Sequence, residues 1–509
     1  MVIVVGVLAA SCSADETEAA ADAGPTGLQP LPPLASVLLT DEQSIVPVHA
    51  VVSPADAREP SDPAALGAMV AEGYGETSLA PGQPHVVRTL DGSPAPAPGP
   101  SPRRLVRFVH LSDPHLVDDE SPSRLASLDS PGATAGAFRP QDAYQCRIVN
   151  AMVRTLNAVH AEDALDFVLL GGDGVDSAQH NELQWLLGLL RGGAEIDCDS
   201  GADDEPLPDA EDPKDPFAPS GLELPWYWAS GNHDVLRQGS FVPDDEQIAD
   251  SMGTEAPGAT RDWSQPGGPL FEGPVVADER RRLLRSTELL SLVAQDDDGH
   301  GLGDEQVTTG RACYSFDVVD SPLRFVVIDT AAQTGAAEGV LRRAELDSFL
   351  VPALEQAQTD GRWVILVSHH ALGSLGNGSG FGGSVQPDAV LGDELLELLG
   401  GYSNVLFALA GHTHVQRVSV LEPAGGHAFW EVMTGALADW PHQARVVEIW
   451  DQGAGAVMLR ATSVDFATDG DELAAEGRRY GVADFVSGWA WDGRGAGDDR
   501  NVELWIASP

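Results

Sequence analysis

Five short stretches of this 509-residue chain carry residue types that hold metals and move protons. In order they are Ser112-Asp113-Pro114-His115, Gly171-Gly172-Asp173, Gly231-Asn232-His233-Asp234, His369-His370 and Gly411-His412-Thr413-His414. Aspartate, imidazole and one asparagine amide are donors suited to borderline and hard divalent or trivalent ions, namely Mn, Fe or Zn. No cysteine stands in any of the five, which argues against a structural zinc. A carboxylate can bridge two ions, and ions ~3.5–4 Å apart can clamp the attacking and leaving oxygens of a displacement at phosphorus. Imidazole also titrates near neutral pH and can act as acid or base. Alone, an Asn-His pair in a turn is ordinary turn chemistry; the weight comes from repetition.

Each stretch follows an apolar run that reads as a buried strand: Leu105 to Leu111, Leu165 to Leu170, Leu224 to Ala229, Trp363 to Ser368 and Val405 to Ala410. Helices are expected at 141–160, where Ile148, Met152, Leu156 and Val159 recur at helical spacing, and at 181–190, 278–293 and 343–358. Further strands are expected at 312–316 and 324–329, and a glycine-rich loop at 373–383.

The five stretches together resemble the calcineurin-like metallophosphoesterases, whose pattern is D-x-H, G-D, G-N-H-D/E, a lone H, and G-H-x-H in that order. The resemblance covers roughly residues 104 to 450, and 129–150 and 429–448 look like an uncharacterised bacterial branch. It implies an α/β fold: a four-layer metallophosphoesterase sandwich, with two mixed β-sheets flanked by helices and the motifs on loops at one edge. It also implies that Asp113, His115 and His414 hold a first metal, that Asp173 bridges, and that Asn232, His369 and His412 hold a second. A metal-bridging water would attack phosphorus. His233 would bind a phosphate oxygen and protonate the leaving group, with Asp234 fixing its ring. Of the adjacent pair, the pattern favours His369 over His370 as ligand; where the family often has Pro soon after, Ala371-Leu372 follows here. Asp176, Asn181, Arg139 and His442 sit near motifs as candidates for substrate contact or support, and His110 reads as a core histidine. The implied activity is hydrolysis of phosphomonoesters or phosphodiesters, nucleotides among them. The alternatives are an envelope binding protein that keeps the fold without turnover, and a metal-dependent nuclease.

The formal net charge of -49 speaks against long nucleic acid as partner, because a basic surface supplies most of that affinity. Small phosphate esters remain compatible, since bound cations reverse the local field. Lys214 is the single lysine. Residues 1–12 read as the end of a secretory signal with a lipobox-like Leu-Ala-Ala-Ser-Cys, so Cys12 is a candidate lipidation site, a membrane anchor and a pointer to export into the periplasm or cell envelope. Residues 13–103 read as an acidic, Pro-rich tether with an N-terminal extension, and 91–102 as a polyproline linker. The phosphoesterase domain is expected over 104–509, with insertions at about 192–221 and 235–310 and a C-terminal extension after about 450. The first insertion, with acidic positions Asp203, Asp204, Glu205, Asp209, Glu211 and Asp212, reads as solvated surface. Cys146, Cys198 and Cys313 read first as packing residues, with a single disulfide among them left open because its pairing is not readable from the sequence.

Overall fold

The computed structural model describes residues 27–132, 134–202, 206–207, 210–295 and 298–509. Cys12 and the acidic positions 203–205 and 209 lie outside the described residues. Thirteen strands build the two large sheets. In chain order they are β1 (Val86–Thr89), β2 (Arg103–Leu111), β3 (Phe167–Leu170), β4 (Trp226–Trp228), β5 (Tyr314–Asp317), β6 (Leu323–Val327), β7 (Trp363–Val367), β8 (Val405–Ala410), β9 (Arg417–Leu421), β10 (Phe429–Met433), β11 (Gln443–Gly453), β12 (Ala456–Asp465) and β13 (Val502–Ala507). The seven-stranded sheet runs β1-β13-β12-β11-β2-β3-β4, and the six-stranded sheet runs β9-β10-β8-β7-β6-β5. Both are mixed. In the first, β2, β3 and β4 are mutually parallel, β11, β12 and β13 pair antiparallel in the interior, and β1 is parallel to β13 at the far edge; in the second, β6, β7, β8 and β10 are parallel, with β5 and β9 antiparallel at its edges.

The parallel strands explain the continuous apolar runs. A strand covered on both faces has no solvent side and loses the polar alternation; all six residues of β8 are buried. The sheets meet through aromatic rings. Phe108 and Phe167 of the first lie 5.3 and 5.4 Å from Phe325 of the second, edge to face. Helices cover the outer faces, among them α1 (Gln145–Glu162), α2 (His180–Arg191) and α3 (Glu472–Val486). Ile148, Met152, Leu156 and Val159 all fall on the buried side of α1.

Several local expectations change. Within the described part of the acidic segment 192–221, Asp199, Ser200, Asp212 and Lys214 are buried, while Glu211 is exposed as expected. Two ties fold it inward. Cys198 forms a disulfide with Cys146 of α1, so these two cysteines do more than pack, while Cys313 is buried and free. Lys214 Nζ lies 2.9 Å from Asp119 and 2.6 Å from Glu120. The helix expected over 278–293 shortens to Ser286–Val293 after a 3-10 turn at Glu279–Arg281. Arg281 there turns inward to Asp118 at 3.0 Å, which interrupts the helical path. Residues after 450 complete the first sheet through β12 and β13, and β1 from the N-terminal segment pairs with β13 in parallel.

Candidate metal centre

All five motifs leave the C-terminal ends of parallel strands: after β2, β3 and β4 in one sheet, after β7 and β8 in the other. The loops there are strained. Asp113, His115, Asp173, His412 and His414 all have φ between 44° and 68°, a left-handed region that non-glycine residues rarely adopt. Such strain persists only where surrounding structure fixes it, and it gathers at functional sites. The fixing bonds are between motifs: Asp113 N–H donates to Gly172 O and His115 N–H to Asp173 O, both at 3.0 Å, and Gly411 N–H to His369 O at 2.9 Å. Glycine is required at 172 on two counts. Its φ is +97°, and a Cβ there would sit 2.6 Å from His369 Nδ1.

The first group is Asp113, His115 and His414, all buried, with ligand atoms within 4.8 Å of one another. His115 Nδ1 faces Asp176 Oδ1 at 3.3 Å, and His414 Nδ1 faces Asp439 Oδ2 at 2.5 Å. An ionised carboxylate only accepts, so both Nδ1 atoms carry the proton. The two Nε2 atoms then face each other 3.1 Å apart, with Asp113 Oδ1 3.2 Å from that of His414. The second group is Asp113, Asp173 and His369. His369 Nδ1–H donates to Gly171 O at 2.9 Å, and its Nε2 lies 3.0 Å from Asp173 Oδ2 without hydrogen-bond geometry. Asn232 gives its Nδ2–H to Gly239 O at 3.0 Å, leaving its buried Oδ1 without a partner. The His412 ring lies 5.2 Å from that of His369. Burial lowers the His369 and His414 rings, but the carboxylates prevail: Asp173 and Asp113 hold His369 at about 10, and Asp113 with Asp439 holds His414 at about 9. Burial, with neighbouring histidines, takes His115 down to about 4 and His412 to about 3.

His370 separates cleanly from His369. Its Nδ1 pairs with Thr330 Oγ1 at 2.9 Å and its Nε2 with Ala337 O at 3.0 Å, so both nitrogens are spent on the protein. His233 Nδ1–H donates to the backbone carbonyl of Asp176 at 2.6 Å, and the half-buried ring lines the cleft. The expected partner for that ring was Asp234; the structure corrects this. Asp234 accepts from the backbone N–H groups of Gly231, Asp173, Gly174 and Val175, clamping the second motif to the third. Adjacent residues on a helical turn do not face each other, so Asp234 cannot serve the preceding ring.

Of the remaining candidates, Asp176 and Arg139 are at the site. Asp176 accepts from Gln238 at 2.7 Å besides facing His115, and Arg139 lines the cleft while its Nε donates to Asp439 at 2.7 Å. Asn181 is away from the cleft, donating to Asp118 and accepting from Glu182 N–H. His442 turns into the core, bonded to Leu437 O and covered by Gly481, where a Cβ would lie 2.0 Å from its Nε2. His110 is buried, paired with Thr434 at 2.7 Å. Sequence reasoning missed Asp439, one residue before the Trp440-Pro441-His442 run, and Trp491, whose ring lies 5.6 Å from His414. The cleft over these groups encloses about 280 Å³. Cavities of about 400 and 840 Å³ elsewhere contain none of the motif residues.

The calcineurin-like phosphoesterase family model matches residues 106–416. No curated protein sequence matches the chain. Among solved structures, a purple acid phosphatase from yellow lupin (Lupinus luteus) seeds aligns at 14% identity and a TM-score of 0.31, covering 76% of this chain and 54% of its own. This chain thus spans about half of that one. GAP50, the anchor in the inner membrane complex of Plasmodium, aligns at 12% identity and a TM-score of 0.32, covering 75% of this chain and 96% of its own.

Proposed function

The chain belongs to the calcineurin-like phosphoesterase family, and on that footing we propose that it is a phosphohydrolase that uses two metal ions, Mn, Fe or Zn, to cleave small phosphomonoesters or phosphodiesters. The carrying observation is the pair His115 Nε2 and His414 Nε2, 3.1 Å apart, with both Nδ1 atoms given to carboxylates. Both Nε2 atoms and Asp113 face one point; with His414 held at about 9 a proton sits there when no metal is bound, and a metal cation would displace that proton. In this reading Asp113, His115 and His414 would hold one ion and Asn232, His369 and His412 the other, with Asp173 shared between them. The unpartnered Asn232 Oδ1 and the free Nε2 of His369 support the second position. Bound ions would supply Lewis acidity at the phosphoryl oxygens and acidify a water.

The chain's own side chains do the rest. With Nδ1–H fixed on the Asp176 carbonyl, His233 has its Nε2 for the substrate. Protonated, that nitrogen binds a phosphoryl oxygen and passes its proton to the departing alkoxide. Asp176 and Asp439 fix the tautomers of His115 and His414, and Asp234 fixes the distance between the second and third motifs. Arg139 stays on Asp439 and holds that carboxylate in place.

Purified protein should carry about two transition-metal ions, and with Mn, Zn or Fe supplied separately it should cleave p-nitrophenyl phosphate or bis(p-nitrophenyl) phosphate. Folded protein that takes up no ion under replete conditions refutes the metal reading; ion binding without turnover of either ester favours a binding protein on the same fold. The Cys146–Cys198 disulfide supports a further proposal, export to an oxidising compartment, with Cys12 as a lipid anchor. Wild-type protein recovered soluble in the cytoplasm overturns it.

A further inference from the structure

Three of the segments outside the five motifs bring aromatic rings to the cleft. The turn after the third motif brings Phe241, the glycine-rich loop 373–383 brings Phe381, and the chain beyond α3 brings Trp491. Phe241 and Phe381 meet edge to face, ring centroids 5.2 Å apart at 79°. Leu125, Leu128, Ala137 and Ala337 extend the apolar part, beside the polar Thr134, Gln238 and Ser240. Leu128 remains 50% exposed and Phe381 74% exposed. Apolar side chains left in water at the mouth of a polar site add nothing to the core, and their grouping marks a surface that a ligand covers.

The charge at the wall points the same way. Among the described residues lining the cleft, Arg139 is the one guanidinium, and its Nε and NH1 are taken by Asp439 and by Gly136 O. A second phosphate on the substrate would find no uncommitted cation there. At about 280 Å³ the cleft also lies just below the ~300–1,000 Å³ range of small-molecule pockets. That is space for a phosphate and one further group, not for a polymer.

Resting on the phosphoesterase reading, we infer that the site selects phosphate esters whose organic part is a single planar aromatic group, aryl or nucleoside, with no second phosphate. The phosphate sits at the metal centre, and the ring lies against Phe241, Phe381 and Trp491.

The test uses the full metal-loaded chain and two ligands that are not esters, phenylphosphonate and methylphosphonate, titrated by calorimetry. Phenylphosphonate should bind about tenfold tighter, the order expected for one ring packed on aromatic neighbours. In Phe381→Ala, a change at an exposed side chain that does not threaten folding, the ratio of the two affinities should fall toward one; Trp491→Ala should lower it independently. In a parallel measurement kcat/KM should fall from adenosine monophosphate to adenosine triphosphate. Equal affinities in the wild type, an unchanged ratio in both variants, or a preference for the triphosphate overturns the inference while leaving phosphoester cleavage standing. If neither phosphonate binds and no ester is cleaved, the phosphoesterase reading itself fails and takes this inference with it.

Discussion

Asp439→Asn tests the centre at a residue that is not in any motif. The carboxylate is buried, with one oxygen 2.5 Å from His414 Nδ1 and the other 2.7 Å from Arg139 Nε. Asparagine keeps the shape but has one accepting oxygen where aspartate has two. If that oxygen stays with Arg139, the amide NH₂ faces His414 Nδ1, which must then accept. The ring's proton moves to Nε2 and blocks the lone pair proposed to hold a metal. Partners behind a metal-ligating histidine are worth about 10–100-fold in metal affinity, or about 1.4–2.7 kcal/mol. Folding should suffer as well, because Arg139 loses its 2.7 Å carboxylate and keeps Asp176 only at 3.9 Å; breaking a buried pair costs about 3–5 kcal/mol. Chelator competition reads the first effect and chemical unfolding in metal-free buffer reads the second. Asp142→Asn is the control: it breaks the 2.8 Å pair with Arg124 without touching a motif histidine, so stability should fall and metal affinity should not. Wild-type metal affinity in Asp439→Asn would refute the tautomer argument.

His233→Asn should retain its metal, by elemental analysis, and lose about 10²–10⁴-fold in rate on alkyl esters, with a smaller loss on p-nitrophenyl esters whose leaving group needs no proton. Loss of the metal would make His233 a ligand instead. Lys214→Met should lower stability in chemical unfolding by about 3–5 kcal/mol, since it leaves Glu120 without its buried cation and Asp119 with only Arg261 at 3.7 Å; an unchanged midpoint would show the network to be without weight. Asp129 gives a pH dependence. Burial raises its carboxyl from 3.8 to about 7, against the hydrogen bond from Trp489. The folded carboxyl therefore binds its proton more tightly than the unfolded one, and this group's contribution to stability is lost as pH rises from about 4 through 7. In Asp129→Asn the decline of Tm over that window should be shallower than in wild type; an identical slope would remove Asp129 from the account.

The motifs were legible because their information is local: a buried strand, then a donor residue. Parallel strands keep their apolar runs whatever the loops do, so β2, β3, β4, β7 and β8 could be placed before any contact was known. Position 234 shows where locality misleads. Adjacency suggested that Asp234 serves His233, yet four backbone N–H groups from two loops converge on it, and the ring is held from Asp176, 57 residues away in sequence. Asp439 and Trp491 carry no local signal, because their roles exist only once the chain after 434 returns to the edge where the fifth motif ends. The cysteines are a similar case: Cys146 on α1 and Cys198 in an acidic loop are 52 residues apart, and nothing at either position announces the other.

The acidic insertion is the most instructive difference, because composition alone argues for solvation and geometry reverses it. Asp118, Asp119 and Glu120 follow the first motif by three residues, and all three are buried. Asp118 takes Arg281 of the second insertion at 3.0 Å and Ser200 of the first at 2.7 Å; Asp119 takes Lys214 of the first at 2.9 Å and Trp263 of the second at 2.8 Å. Each insertion is thus fastened to the loop that also carries His115. Buried ion networks are weak contributors to net stability compared with apolar packing, but removing one partner is costly, so they discriminate strongly against wrong arrangements. That fits what this loop must do, which is hold a strained backbone at Asp113 and His115. It also gives a reason for the single lysine among so many arginines. Asp119, Glu120 and Asp199 surround Lys214 Nζ at 2.9, 2.6 and 3.5 Å. A compact ammonium can meet three carboxylates from different directions, whereas a planar guanidinium fork directs its donors into one plane and needs more room. The charge that keeps the surface acidic and the charge that locks the insertions inward are therefore one composition put to two uses, distinguished only by where a buried cation stands.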